Sequence, residues 1–123
     1  MSTTPYKQGD VVLVSVNYTD DLSKAKTRPA IILSHNKCPC GSKSGLILIA
    51  VSTSDNAEPC DYPLEGLTLT QSGLMYPSVV KTGFIFTMKP MNFIKKTGAI
   101  PTRELKKIAE KIVNHIWHGL TIP

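Results

Sequence analysis

The feature that most constrains this chain is a succession of short aliphatic runs, rich in β-branched residues and each cut off by a polar loop. Asp10–Val16 (DVVLVSV), Arg28–Ser34 (RPAIILS) and Leu46–Ser52 (LILIAVS) are the strongest of them. That composition suits pleated, largely buried strands. Leu46–Ser52 is apolar on both faces, which places it centrally in a sheet. Pro29 has no N–H to give a ladder, so it belongs at the start of its strand or on an edge. Weaker strand signals follow at Tyr62–Leu64 and Phe93–Ile100, and at Ser78–Lys81 and Phe84–Met88, which read as one bent strand or two with a bulge at Gly83. Asn17–Thr27, His35–Gly45 and Asp55–Cys60 read as loops.

The last element reads as a helix. Leu105, Ile108, Ala109, Ile112, Val113, Ile116 and Trp117 recur at i, i+3, i+4 and i+7, while Lys106, Lys107, Glu110, Lys111 and Asn114 take the opposite face. Thr102 is the expected N-cap, Glu104 complements the dipole in the first turn, and Gly119 is placed to end the helix. Short strands with turn signals every ten or so residues, followed by one helix, predict a single domain over residues 1–123. It is a mostly β, strongly bent small barrel over about residues 8–100, with an amphipathic helix over about 102–118 packed on it.

Composition removes several function classes. The charged fraction is 19% and the apolar fraction 41%, ordinary for a folded chain of one-domain length. No apolar run reaches the roughly 18 residues of a membrane helix, and the first ten residues (MSTTPYKQGD) contain no apolar signal segment. The three cysteines are then expected as reduced thiols in a cytoplasmic protein. No glycine-rich phosphate loop is present, which disfavours nucleotide-dependent chemistry. The net charge is +5 and it is segregated. Lys24, Lys26, Arg28, Lys37 and Lys43 lie in a stretch without acids, as do Lys81, Lys89, Lys95, Lys96 and Arg103, with Asp55, Glu58, Asp61 and Glu65 between the two. Such segregation suits an anionic partner such as nucleic acid, or simply a solvated basic surface.

Three residue groups are candidates for chemistry. His35, Cys38, Cys40 and Cys60 could form a zinc site, but Cys-x-Cys is tighter than the usual ligand spacing and Cys60 is distant. His115 and His118 could pair for metal or acid–base work, but histidines near a helix C-terminus more often complement the dipole. Ser52, Thr53 and Ser54 end the central strand, where hydroxyls either donate to a phosphate or satisfy the turn. Arg28 opens the neighbouring strand, and a guanidinium beside hydroxyls can hold a phosphate through two parallel bonds.

The order of these segments is more specific than any one of them. Gly9-Asp10-Val11-Val12, then Thr27-Arg28-Pro29-Ala30-Ile31-Ile32-Leu33-Ser34, then Ala50-Val51-Ser52-Thr53-Ser54 resembles the MazF/PemK toxin ribonucleases. Tyr62-Pro63-Leu64-Glu65, Ser78-Val79-Val80-Lys81 and Lys96-Thr97-Gly98 continue the same order, so the resemblance spans about residues 8–117. It implies a small SH3-like β-barrel of the MazF/PemK/CcdB kind, assembled as a homodimer. The implied activity is cleavage of single-stranded RNA at a short sequence with no metal or other cofactor, inhibited by a cognate antitoxin that lays a disordered segment over the RNA groove. Arg28 and Thr53 carry over as the catalytic pair, with Ser52 or Ser54 taking the hydroxyl role if the register is off by one. The 2′-OH of RNA is the nucleophile, so the protein has to position the strand and stabilise charge on the phosphorane oxygens. Tyr18, Lys24, Lys26 and Lys81, with Ser52 and Ser54, are the expected substrate contacts. The loop His35–Gly45, with Cys38 and Cys40, has no counterpart in the resemblance. Two alternatives use the same barrel: an RNA- or protein-binding module without catalysis, and a toxin acting on a protein such as a topoisomerase through the tip of its C-terminal helix.

Overall fold

A computed structural model describes residues 6–16, 26–35, 45–54 and 57–117. Six antiparallel strands form one sheet: β1 (Asp10–Val16), β2 (Lys26–Ile32), β3 (Leu46–Thr53), β4 (Tyr62–Leu64), β5 (Ser78–Met88) and β6 (Phe93–Ala99). Their order is β4-β5-β3-β2-β1-β6. Helix α1 (Gly66–Ser72) lies between β4 and β5, and helix α2 (Thr102–Ile116) follows β6. The mostly β architecture with a C-terminal helix agrees with the expectation from the sequence. Closure does not follow: β4 and β6 remain the two edges of the sheet among the described residues.

Alternation along the strands divides the core into two faces. One carries Val11, Ile31, Ile49, Val51, Leu64 and Val80, and the helices cover it with Leu69, Leu105, Ile108 and Ile112. The other carries Val12, Val14, Ala30, Ile32, Leu48 and Phe93, flanked by Tyr6, Val16, Leu46, Phe86 and Met88. Tyr6 meets Phe93 edge-on, with ring centroids 4.9 Å apart.

Two of the boundaries that differ from expectation are the start of β2 and the start of the last helix. β2 begins at Lys26, two residues before Arg28, because Lys26 and Thr27 pair with Val16 and Ser15 of β1. Thr102 is already helical, with Pro101 in the cap position, so it does not act as the N-cap. α2 is described to Ile116, and Gly119 and His118 lie outside the described residues. β5 is one strand with a large bulge: Ile49 pairs with Ile85 but Val51 pairs with Val80, so Ala50 alone spans Lys81 to Phe84. The glycine expected to form this bulge is inside it. A Cβ on Gly83 would lie 3.0 Å from the His115 ring, which is how α2 comes so close.

α1 was not foreseen. Its sequence, GLTLTQS, has weak helix propensity and an apolar pattern too short to read. Contacts with β6 hold it. Thr97 Oγ1 donates to the Ser72 carbonyl at 2.8 Å. Gly73, at φ +77°, ends the helix in the left-handed region. A Cβ on Gly98 would fall 2.2 Å from the Gln71 carbonyl oxygen, so helix and strand meet backbone to backbone.

Candidate active site

Pro29 determines the shape of the sheet beside Arg28. The ladder between β2 and β3 runs through Ala30↔Ala50, Ile31↔Ile49 and Ile32↔Leu48 and goes no further among the described residues. It ends where β2 reaches the residue that cannot donate. Pro29 is thus in the middle of an internal strand, paired with Leu13 of β1, but at the start of the β2–β3 ladder. Continuing the register would set Arg28 level with Ser52. The two positions lie just past the last paired residues of the two strands.

Facing follows from the pairing. Arg28 lies directly opposite Val14, and Lys26 opposite Val16, so both are on the face that the helices leave uncovered. On β3, Leu48 marks the same face, and two-residue alternation adds Ser52 to it. Thr53 shares the parity of Ile49 and Val51, which lie on the helix-covered face, and it pairs with Ser78. Arg28, Lys26 and Ser52 therefore share one face of the sheet, and Thr53 lies on the other. Arg28 is half-buried; Lys26 and Thr53 are exposed. The Ser54 N–H donates to the Pro77 carbonyl at 2.9 Å, tying the end of β3 to the segment that leads into β5.

Lys81 is committed elsewhere. Its Nζ lies 2.9 Å from Asp61 Oδ2, across the β4–β5 register. Burial disfavours the Asp61 carboxylate, but the Glu58 N–H and the Lys81 ammonium outweigh it and hold its carboxyl below the usual range. Tyr18 and Lys24 lie outside the described residues, as do Cys38 and Cys40. His35 and Cys60 are exposed. Among the described residues, no three His, Cys, Asp or Glu side chains come together as metal ligands.

Around Lys81 is a corner that sequence reasoning did not find. Thr82 is buried, donates to the Cys60 carbonyl at 2.6 Å, and lies 2.9 Å from His115 Nδ1. Because the hydroxyl has one proton and Cys60 takes it, His115 is the donor in the second contact. Lys111 donates to the Pro59 carbonyl at 3.1 Å. At the first residue of β4, the Tyr62 hydroxyl donates to Glu104, which also lies within 3.7 Å of Arg103 and 3.5 Å of Lys107. Burial first, and then Glu104, push the Tyr62 hydroxyl up to about 12. The hydrogen bond from Tyr62 holds Glu104 below its ordinary value. These contacts fasten α2 to β4 and β5. The histidine that could have been read as acid–base machinery is part of that fastening.

The fold and this site define a class: a small, bent antiparallel sheet whose second strand opens away from the third at an arginine, with a hydroxyl on the same face. The sequence matches the PemK-like, MazF-like toxins of type II toxin–antitoxin systems over residues 7–116, and the chain belongs to that family. No curated protein sequence matches it. Solved structures with the same fold include an endoribonuclease in complex with its cognate antitoxin from a mycobacterial species, at TM-score 0.68 and 16% identity over 96% of this chain and 99% of that one. The toxin MazF-mt6 of Mycobacterium tuberculosis superposes at TM-score 0.65 and 17% identity, covering 87% of this chain and 95% of the other. A MazE–MazF structure from Deinococcus radiodurans gives TM-score 0.68 and 15% identity over 90% and 95% of the two chains. Among the described residues, no helix is long and apolar enough to cross a membrane.

Proposed function

We propose that this chain is a single-domain toxin endoribonuclease that cuts single-stranded RNA by attack of the RNA's own 2′-OH on the adjacent phosphate. The observation that carries the reading is the placement of Arg28 and Ser52 on one face, at the point where Pro29 ends the β2–β3 ladder. Arg28 grips the scissile phosphate and stabilises the charge that builds on its non-bridging oxygens. A guanidinium is a permanent cation and not a proton carrier. The hydroxyl at the end of β3 is the second donor, and strand alternation favours Ser52 over Thr53 in that role. Attack forms the P–O2′ bond and breaks P–O5′, leaving a 2′,3′-cyclic phosphate and a 5′-OH. The 2′ proton leaves to water and the departing O5′ gains one. Lys26 extends the phosphate path on the same face. The protein acts in the cytoplasm as a homodimer, with no resident cofactor, and a cognate antitoxin covers this face. An endoribonuclease of the same fold, solved in complex with its cognate antitoxin, supports a partner of that kind.

The test is a long single-stranded RNA incubated in EDTA with wild-type protein, Arg28→Ala, Ser52→Ala and Thr53→Ala, with fragment ends mapped. The expected result is wild-type cleavage at a recurring short sequence, leaving 5′-OH ends. Arg28→Ala should reduce the rate by about 10²- to 10³-fold, on the scale of a lost oxyanion donor, with Ser52→Ala more damaging than Thr53→Ala. Intact RNA with wild-type protein sinks the reading.

One observation favours a second reading. Val113, Ile116 and Trp117 leave the outer tip of α2 apolar and exposed, as a toxin directed at a protein through that helix would require. Toxicity that survives Arg28→Ala but not Ile116→Asp would select it.

A further inference from the structure

Tyr76 is a large aromatic left in solvent, 65% exposed, in a segment fixed from both sides. Its own carbonyl accepts the Ser78 hydroxyl at 2.8 Å. The carbonyl of the next residue, Pro77, accepts the Ser54 N–H at 2.9 Å. Ser78 then pairs with Thr53, and Val79 with Ser52. On the other side, the Leu74 N–H donates to Ser72 Oγ at 3.2 Å, so the turn from α1 is held as well. The ring is thus presented by backbone that proline and these bonds hold in place.

Its position relative to the site follows from the register. Ser52 faces Val79, and Tyr76 is three residues before Val79. At a rise of about 3.3 Å per residue, it lies at most about 10 Å along the strand direction, and one strand over, from Ser52. Tyr76 is in a bend before β5 begins, outside the strand's alternation, and connectivity brings it to the same end of the sheet as Arg28 and Ser52.

We infer that Tyr76 is a stacking platform for an unpaired nucleobase next to the scissile phosphate, and so a substrate-positioning residue. The inference rests on the endoribonuclease reading. Unpaired bases present a π-face to any exposed ring, and stacking tolerates sequence because every base has one. A ring already fixed by its backbone loses little entropy when a base settles on it. The phenol's polar end tolerates water in the free protein, which a phenylalanine would do less well. Stacking holds the strand before and during reaction alike, so it acts on KM and leaves kcat nearly unchanged.

The test uses a short oligoribonucleotide containing the cut site mapped with wild-type protein. Tyr76→Ala is compared with Tyr76→Phe, and with Met91→Ala, which removes another exposed apolar side chain beyond Met88, opposite the far end of β3. Thermal melting of each variant establishes that it folds. The expected result is a KM raised about 5- to 100-fold by Tyr76→Ala, the scale of one lost base stack, with kcat within about twofold. Tyr76→Phe should recover most of that loss, and Met91→Ala should match wild type. Equal KM values for Tyr76→Ala and wild type overturn the inference while leaving the ribonuclease reading in place. A Tyr76→Ala protein that cuts normally but sediments as a smaller species also overturns it, because the ring then serves a protein contact. Wild-type protein that cuts no RNA brings down the ribonuclease reading and this inference with it.

Discussion

Two ends of the same sheet are built on opposite plans. At the β4–β5 corner, polar groups face one another: Asp61 with Lys81, Thr82 with Cys60 and His115, Tyr62 with Glu104, Lys111 with Pro59. Each contact ties strand to strand or strand to α2. At the Arg28 end, the strand ladder stops instead, and a half-buried cation and a hydroxyl lie at the margin of the second core face. The comparison teaches where to look for chemistry in a small fold. Side chains with a structural partner, including a histidine and a lysine that look catalytic in isolation, belong to the fastening. The residues at the interrupted ladder, Arg28 and Ser52, are the ones the proposed chemistry uses.

This contrast can be broken most severely through the core that both ends share. Ile108 is fully buried between α2 and the sheet. Ile108→Ala should cost about 2–5 kcal/mol in chemical denaturation. The surviving folded fraction should cut RNA at wild-type rate per molecule. A folded Ile108→Ala protein with altered cut sites would show that α2 reaches the site and that the two ends are not separable.

A smaller effect isolates the fastened corner. Asp61→Asn should cost about 1–2 kcal/mol at pH 7, because it removes the negative charge of a largely buried ion pair. Asp61 has a lowered folded pKa, so its contribution is complete above its unfolded value of about 3.8 and fades as pH falls through the folded value. The stability gap between Asp61→Asn and wild type should therefore close below about pH 4. A gap that persists in acid would mean that packing, not charge, holds the corner.

The smallest signal is spectroscopic. Absorbance titration should show one tyrosine ionising at about 12, against about 10 for an unperturbed phenol. Tyr62→Phe should remove that step. The raised folded value means that the stability Tyr62 contributes is intact below about pH 10 and disappears as pH rises through 12. If Tyr62→Phe leaves the late step in place, the Tyr62–Glu104 tie is not formed in solution.

Much of this was legible in the chain. β1 and β4 fall on their expected residues, because Asp10–Val16 alternates cleanly into two cores and Tyr62–Leu64 is bounded by polar residues. The start of β2 was not legible. Lys26 and Thr27 have no apolar signal, and they are strand only because β1 supplies partners. α1 was invisible for the same reason, since backbone contact with Thr97 and Gly98 stabilises it more than its own propensity does. At the candidate site, Arg28 was legible as a cation opening its strand. Which of Ser52 and Thr53 shares its face was not, because that turns on which residues of β3 share a face with Leu48. Lys81 was legible as a cation but not as the partner of Asp61, a pairing created by the β4–β5 register.

The backbone contact at Gly98 has a consequence for how the sheet assembles. β6 is an edge strand, and its match to β1 contains two irregularities, between Val11 and Val12 and between Leu13 and Val14. A ladder interrupted this often discriminates poorly against sliding by one residue. The surface of α1 discriminates well, since it leaves no room for a side chain at the point where Gly98 sits. A slipped β6 would drive Thr97 or Ala99 into the Gln71 and Ser72 carbonyls. The glycine is thus a key cut for one lock position: it admits the strand in a single alignment and lets the helix check the register of an edge strand.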